Sequence, residues 1–142
     1  MTDWTLSING PARVRPAMTG DAAFWWEGLE GRELRIQRCA ACSVLRHPPQ
    51  PRCRGCGSLA WDFVVAGGEG SLHSFVVYHY PALEGTRYPY TVALVDLDEG
   101  IRVVAPLAAP AGRSPSIGER VRLDWATADG GGGWPCFRPA GP

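Results

Sequence analysis

The chain contains no lysine. All 14 of its basic side chains are arginine, and 14 acidic side chains balance them, so the formal net charge is zero. No lysine amine is present to form a Schiff base or to act as a nucleophile. A neutral chain exerts no long-range pull on polyanions, which argues against general nucleic-acid binding. The choice of arginine over lysine is most simply a mark of GC-rich codon usage. Long apolar runs are missing too. No stretch of about 18 apolar residues occurs, so no transmembrane helix is expected. Residues 1–13 lack the basic-then-apolar pattern of a secretory leader. A paired acid–base signature is also absent. Hydrophobic residues nevertheless make up 45% of the 142, enough for a packed core in one domain or one domain with a small appendage.

What is present is a pair of Cys-x-x-Cys motifs, Cys39–Cys42 and Cys53–Cys56, separated by ten residues. Two such knuckles can direct four thiolates at one centre, a set suited to tetrahedral Zn²⁺ and also acceptable to iron. A disulfide within each motif would close a small, strained ring. A thioredoxin-like role needs a βαβ context that is not found. Four cysteines read as thiolates place the chain in a reducing cytoplasm. The intervening loop carries Pro48, Pro49 and Pro51, whose fixed φ pre-orders it. A closed four-thiolate site has no open coordination position, so a structural role is expected. Residues 39–56 thus read as a zinc ribbon.

Around the ribbon the chain divides into an arm and helix (1–33), the ribbon with its strands (34–66) and an all-β remainder (67–142). Trp4 and Leu6 are expected to dock an extended arm. Asp21 stands at a helix start, and residues 22–29 fill a short helix ending near Gly28 or Gly31. Phe24, Trp25 and Trp26 are consecutive and cannot share one helix face, so at least one must meet the ribbon, the arm or another protein. Residues 34–38 alternate as a half-buried strand, and residues 59–65 form the outgoing strand, with Trp61, Phe63 and Val65 on one face. Whether that second strand stays with the ribbon or joins the β body is open. Strands are predicted at 72–80, 90–97, 101–107 and 120–126, with a closing segment at 134–139. A hairpin turn is expected at Gly100. Four or five strands with one long connection suit a small barrel of the OB type.

The chain resembles the DUF35 family. The residues that carry the likeness are Phe24 to Leu29 before the ribbon, the run from Leu34 through Cys39 and Cys42, and the run from Arg46 through Cys53 and Cys56 to Ser58. Gly68 to Phe75, Val92 to Asp98, Ile117 to Val121 and the ending Phe137-Arg138-Pro139 continue it. Ser43 stands where the family usually has glycine and Arg54 where proline is common. A side-chain hydrogen bond from Ser43 is expected to support its turn. The resemblance implies a mainly β fold: an N-terminal helix, a rubredoxin-like zinc ribbon and a C-terminal OB-fold barrel. It also implies a non-catalytic accessory subunit of a thiolase-like, acyl-CoA-using enzyme, such as a steroid side-chain aldolase, in a hetero-oligomer. A share in holding the CoA thioester belongs to the same implication. No MaoC-like hydratase domain is seen in these residues, so that alternative partner would be a separate chain or another part of a longer protein from which this stretch is cut.

On this reading Cys39, Cys42, Cys53 and Cys56 hold structural Zn²⁺. Phe24, Trp25, Trp26, Trp134, Phe137 and Arg138 are candidates for contact with the partner or with CoA, and the glycine run 130–133 would let the tail from Trp134 move and dock. Two other readings remain. Cys136, unpaired, would be a nucleophile if His47, His73 or His79 activated it, although a bystander cysteine is expected. His73 and His79, six apart, are predicted on one strand face. Arginines 13, 15, 32, 35, 38, 46, 52 and 54 cluster in the first half. They suit phosphates of CoA, an acidic partner, or single-stranded nucleic acid.

Overall fold

The computed structural model describes residues 17–80, 89–108, 112–127 and 133–141. The arm with Trp4 and Leu6 and most of the 130–133 glycine run lie outside these residues. A 3-10 turn, Gly20–Ala22, leads into helix α1, Ala23–Glu30. Asp21 sits in that first turn, where its charge complements the exposed amides. At the other end the Glu33 amide donates to the Gly28 carbonyl, and Arg32 takes a left-handed φ of 55° to turn the chain out of the helix.

The ribbon is a three-stranded antiparallel sheet in the order β2-β1-β3. Its strands are β1 (Arg35–Cys39), β2 (Leu45–Arg46) and β3 (Trp61–Val65). The open question about residues 59–65 is answered by register. Arg35 pairs with Val65 and Cys39 with Trp61, so the strand stays with the ribbon.

Five further strands close a barrel in the order β4-β5-β6-β8-β7. They are β4 (Glu69–Tyr78), β5 (Tyr90–Leu97), β6 (Arg102–Leu107), β7 (Arg120–Thr127) and β8 (Gly133–Pro139). The fold is therefore mainly β, with one short helix, a ribbon and an OB-like barrel, as the resemblance implied. The tail is not the moving segment it was expected to be. β8 pairs with β7 from Val121↔Pro139 to Thr127↔Gly133, and it touches β6 in parallel at Leu107↔Phe137. Phe137 is 0% exposed, which makes the tail the strand that closes the barrel.

One buried cluster serves both parts. Leu34 and Ile36 from the ribbon side pack with Leu72, Val95, Val103, Val121 and Phe137 of the barrel. Barrel closure also demands close backbone approach. A Cβ on Gly70 would lie 2.5 Å from the Asp96 carbonyl oxygen on the paired strand, a contact neither backbone can relieve without shifting. Gly70→Ala is therefore expected to destabilise the protein by about 1–3 kcal/mol, the usual cost of overpacking, read as a lower urea midpoint.

Candidate functional site: a four-cysteine metal centre

The two knuckles are built alike. In the first, the Ser43 amide donates to the Cys39 carbonyl; in the second, the Gly57 amide donates to the Cys53 carbonyl, each at 2.9 Å. Both closing residues take a left-handed backbone, φ 62° at Ser43 and 77° at Gly57. Glycine does this without cost, whereas serine carries a Cβ penalty. Among the described residues no side-chain hydrogen bond from Ser43 supports that turn, contrary to expectation.

The same turns aim amides at sulfur. Amides of Cys42 and Ala41 point at the Cys39 thiol and pull its pKa down. Those of Cys56 and Gly55 pull Cys53 down to about 6. Cys42 receives the Val44 amide, but Cys53 beside it and desolvation push its thiol up to about 12. A thiol next to a thiolate keeps its proton until a cation takes the proton's place.

The four sulfurs converge. Cys39 and Cys56 Sγ are 3.6 Å apart, as are Cys42 and Cys53 Sγ, and all four lie within 4.8 Å of one another. A disulfide needs about 2.05 Å, so all four cysteines are free. Four sulfurs about 2.3 Å from one ion in a regular tetrahedron stand about 3.8 Å apart. The residues fit a single metal ion, and four sulfur ligands leave no position for substrate. Cys39 and Cys53 are buried while Cys42 and Cys56 face outward, so one side of the site is sealed by the ribbon's own packing.

A buried polar group supports the centre and escaped the sequence reading. Gln37, only 1% exposed, accepts hydrogen bonds through Oε1 from Arg46 Nε at 2.7 Å and the Gln50 amide at 2.9 Å. This ties β1 to β2 and to the proline loop ahead of the second knuckle. Strand alternation marks Gln37 as outward-facing, and only the loop folded over it reverses that.

The three helix aromatics each find a place within the chain. Consecutive residues are about 100° apart on a helix. Phe24 stacks on Phe63 and tilts on Trp61, with centroids at 5.7 and 4.8 Å. Trp25 lies 4.5 Å from His47 in the ribbon loop. Trp26 meets Trp134 of β8 edge-on at 6.2 Å. Phe24 and Phe137 are buried, so neither offers a surface to a partner. Trp25, Trp26, Trp134 and Arg138 remain partly exposed, with Arg138 Nε 3.4 Å from Asp124 Oδ2.

The nucleophile reading fails on geometry. Cys136 is 2% exposed, and burial first, then the Asp124 charge, push its thiol up to about 12. No histidine contact reaches it among the described residues. His47 packs on Trp25, and burial lowers its pKa. His73 Nδ1 lies 3.0 Å from Asp96 Oδ2. A bulge between Leu72 and Ser74 shifts the strand, and β4 ends at Tyr78, so His73 and His79 do not share a strand face as predicted. In the folded protein Cys136 is expected to resist iodoacetamide, and Cys136→Ala to leave turnover of any complex within about twofold of wild type. Mass spectrometry and a rate assay read these outcomes.

Much of the arginine cluster is also engaged. Arg35 pairs with Glu33 and covers the Phe63 ring, Arg38 pairs with Asp62, and Arg46 is buried on Gln37. Arg52 and Arg54 line an open groove beside the second knuckle. No helix among the described residues is long and apolar enough to cross a membrane.

Comparison with known proteins agrees with this architecture. Residues 26–62 match "ChsH2, rubredoxin-like zinc ribbon domain" and residues 63–126 match "ChsH2, C-terminal OB-fold domain". A "Probable enoyl-CoA hydratase alpha subunit" of Thermomonospora curvata is 50% identical over 99% of the chain, which spans 44% of that relative's length. "Benzoylsuccinyl-CoA thiolase subunit BbsA" of Thauera aromatica is 28% identical over 69% of the chain and 72% of its own length. A solved chain of an "Ltp2-ChsH2(DUF35) aldolase" is 50% identical and superposes with a TM-score of 0.83, covering 89% of this chain and 100% of its own. With ribbon and barrel models matching in succession and one solved relative matched over its full length, the chain belongs to the DUF35 family, in the form that ChsH2 represents.

Proposed function

We propose that the chain is a non-catalytic accessory subunit of a thiolase-like acyl-CoA enzyme, stabilising that partner, with Zn²⁺ as the ion of its four-cysteine centre. One observation carries the reading: a match over 89% of this chain to the whole of the solved chain of an "Ltp2-ChsH2(DUF35) aldolase". The geometry supports it. The sulfur site is closed to substrate, and the one cysteine outside it is buried. Catalysis on a thioester would then fall to the partner. A contact with the CoA moiety extends the proposal; Arg52 and Arg54 at their open groove offer guanidinium groups for its phosphates.

A second reading has its own support. The hydratase relative is more than twice as long as the stretch it shares with this chain, so the same unit also serves as part of a hydratase subunit. A MaoC-like hydratase is then the partner.

Co-expression with a thiolase-like subunit, and separately with a MaoC-like hydratase, followed by co-purification, distinguishes the two. The expected result is a stable complex with the thiolase-like subunit, acyl-CoA turnover by that complex, and none by this chain alone. Turnover by the isolated chain would overturn the reading.

A further inference from the structure

The outward face of the sheet formed by β4, β5 and β6 is apolar where a closed barrel normally turns polar groups to water. Register shows which side chains share that face. Leu94 pairs with Val104, Val76 with Val92, and Tyr78 with Tyr90. Directly paired residues project to the same side. Their inward neighbours, among them Ala93, Val103 and Ala105, are buried in the core. The outward set carries no charge, yet Val76 is 52% exposed and Val104 63%. The Tyr78 and Tyr90 rings stack at 5.0 Å and 10°, which holds them in place ahead of any contact.

Toward the bulge the same face changes character. Arg102 Nε bonds Asp96 Oδ1 at 2.6 Å, and His73 leans on the other carboxylate oxygen. The charges there satisfy one another at the border of the apolar strip. An apolar centre with a charged rim is the anatomy of a protein interface. The backbone adds a second feature. β7 pairs with β4 only at 69–71, and the Gly118 amide and Glu119 carbonyl take the backbone groups of Leu72; from His73 to Tyr78, among the described residues, β4 has a strand on one side only. Such an edge accepts an extended segment from another chain.

We propose that this face of β4, β5 and β6 is the docking surface for the thiolase-like subunit, which would present an uncharged apolar strip. The proposal rests on the accessory-subunit reading above. The solved ChsH2 relative, matched over its entire length, is one part of an assembly named for two proteins. We assign the cover of the strip to a second, different polypeptide of the kind that relative assembles with.

The test co-expresses the tagged chain with the thiolase-like subunit and measures affinity for it. Val76→Glu combined with Val104→Glu is expected to weaken the complex at least tenfold, since two carboxylates would be desolvated without partners. Both positions are exposed, so metal content and thermal midpoint should match wild type. Val76→Thr with Val104→Thr keeps the strand-favouring shape and should show a smaller loss in the same direction. Leu59→Glu, on an exposed ribbon residue, is the control and should bind normally. If wild type binds and the folded double glutamate variant binds equally, the surface assignment is overturned while the partner reading stands. An equal loss with Leu59→Glu also overturns the assignment. If wild type fails to bind the thiolase-like subunit at all, the partner reading fails and takes this surface with it.

Discussion

Cys39→Ser is expected to yield protein without stoichiometric zinc and with the ribbon unfolded. The argument is one of magnitudes. Structural zinc supplies about 10–16 kcal/mol of apparent binding free energy in small zinc-finger peptides at neutral pH. A whole domain is stable by about 5–15 kcal/mol. Cys39 is both one of the four converging thiols and the last residue of β1, paired with Trp61, and it is 1% exposed. Serine there would replace a thiolate with a poor ligand and put a hydroxyl beside three sulfurs that still need a cation. Loss should spread beyond the knuckles, because β1 also carries Ile36 into the core shared with the barrel. Metal analysis of the purified variant and its near-ultraviolet circular dichroism would read both effects. A variant that stays folded and still joins its partner would show the ribbon to be dispensable.

Phe137→Ala should come next in size, at about 3–5 kcal/mol. Its side chain is fully buried, and its backbone stands where β8 meets both neighbours, opposite Leu123 on one side and Leu107 on the other. The Ala108 amide also donates to the Phe137 carbonyl. Removing the ring empties the point where the barrel closes, with few atoms free to fill the space. Such a loss is a large fraction of total stability, so the variant is expected to show a strongly lowered urea midpoint. A surface contact residue would behave otherwise: its variant would keep the midpoint and lose only partner affinity. The measurement thus also tests whether the tail is structural.

What could be read from the residues, and what could not, follows from how far each signal reaches. The four cysteines were legible because two thiols with two residues between them in each knuckle impose a short, recognisable spacing. The longer strands were legible from alternation and from β-branched and aromatic residues, within a residue or two at most ends; β2, two residues inside the loop between the knuckles, was not. The sheet to which residues 61–65 belong was not, since a strand reads the same whichever neighbour accepts its hydrogen bonds. The helix gave directions for Phe24, Trp25 and Trp26 but not their targets, which lie far along the chain at Phe63, His47 and Trp134. Gln37 alternates like an exposed residue, and only the tertiary cover makes it buried. The bulge at His73 left no local mark, because one extra residue in a strand changes the register without changing the composition.

The placing of those three rings has a mechanical consequence. A short rod gripped on one side by a sheet, on another by a loop and on a third by a barrel stave leaves no hinge between the halves it joins. Whatever such a body meets, it meets without first having to stiffen. Association then forfeits little internal freedom, and more of the contact energy remains to hold the assembly together.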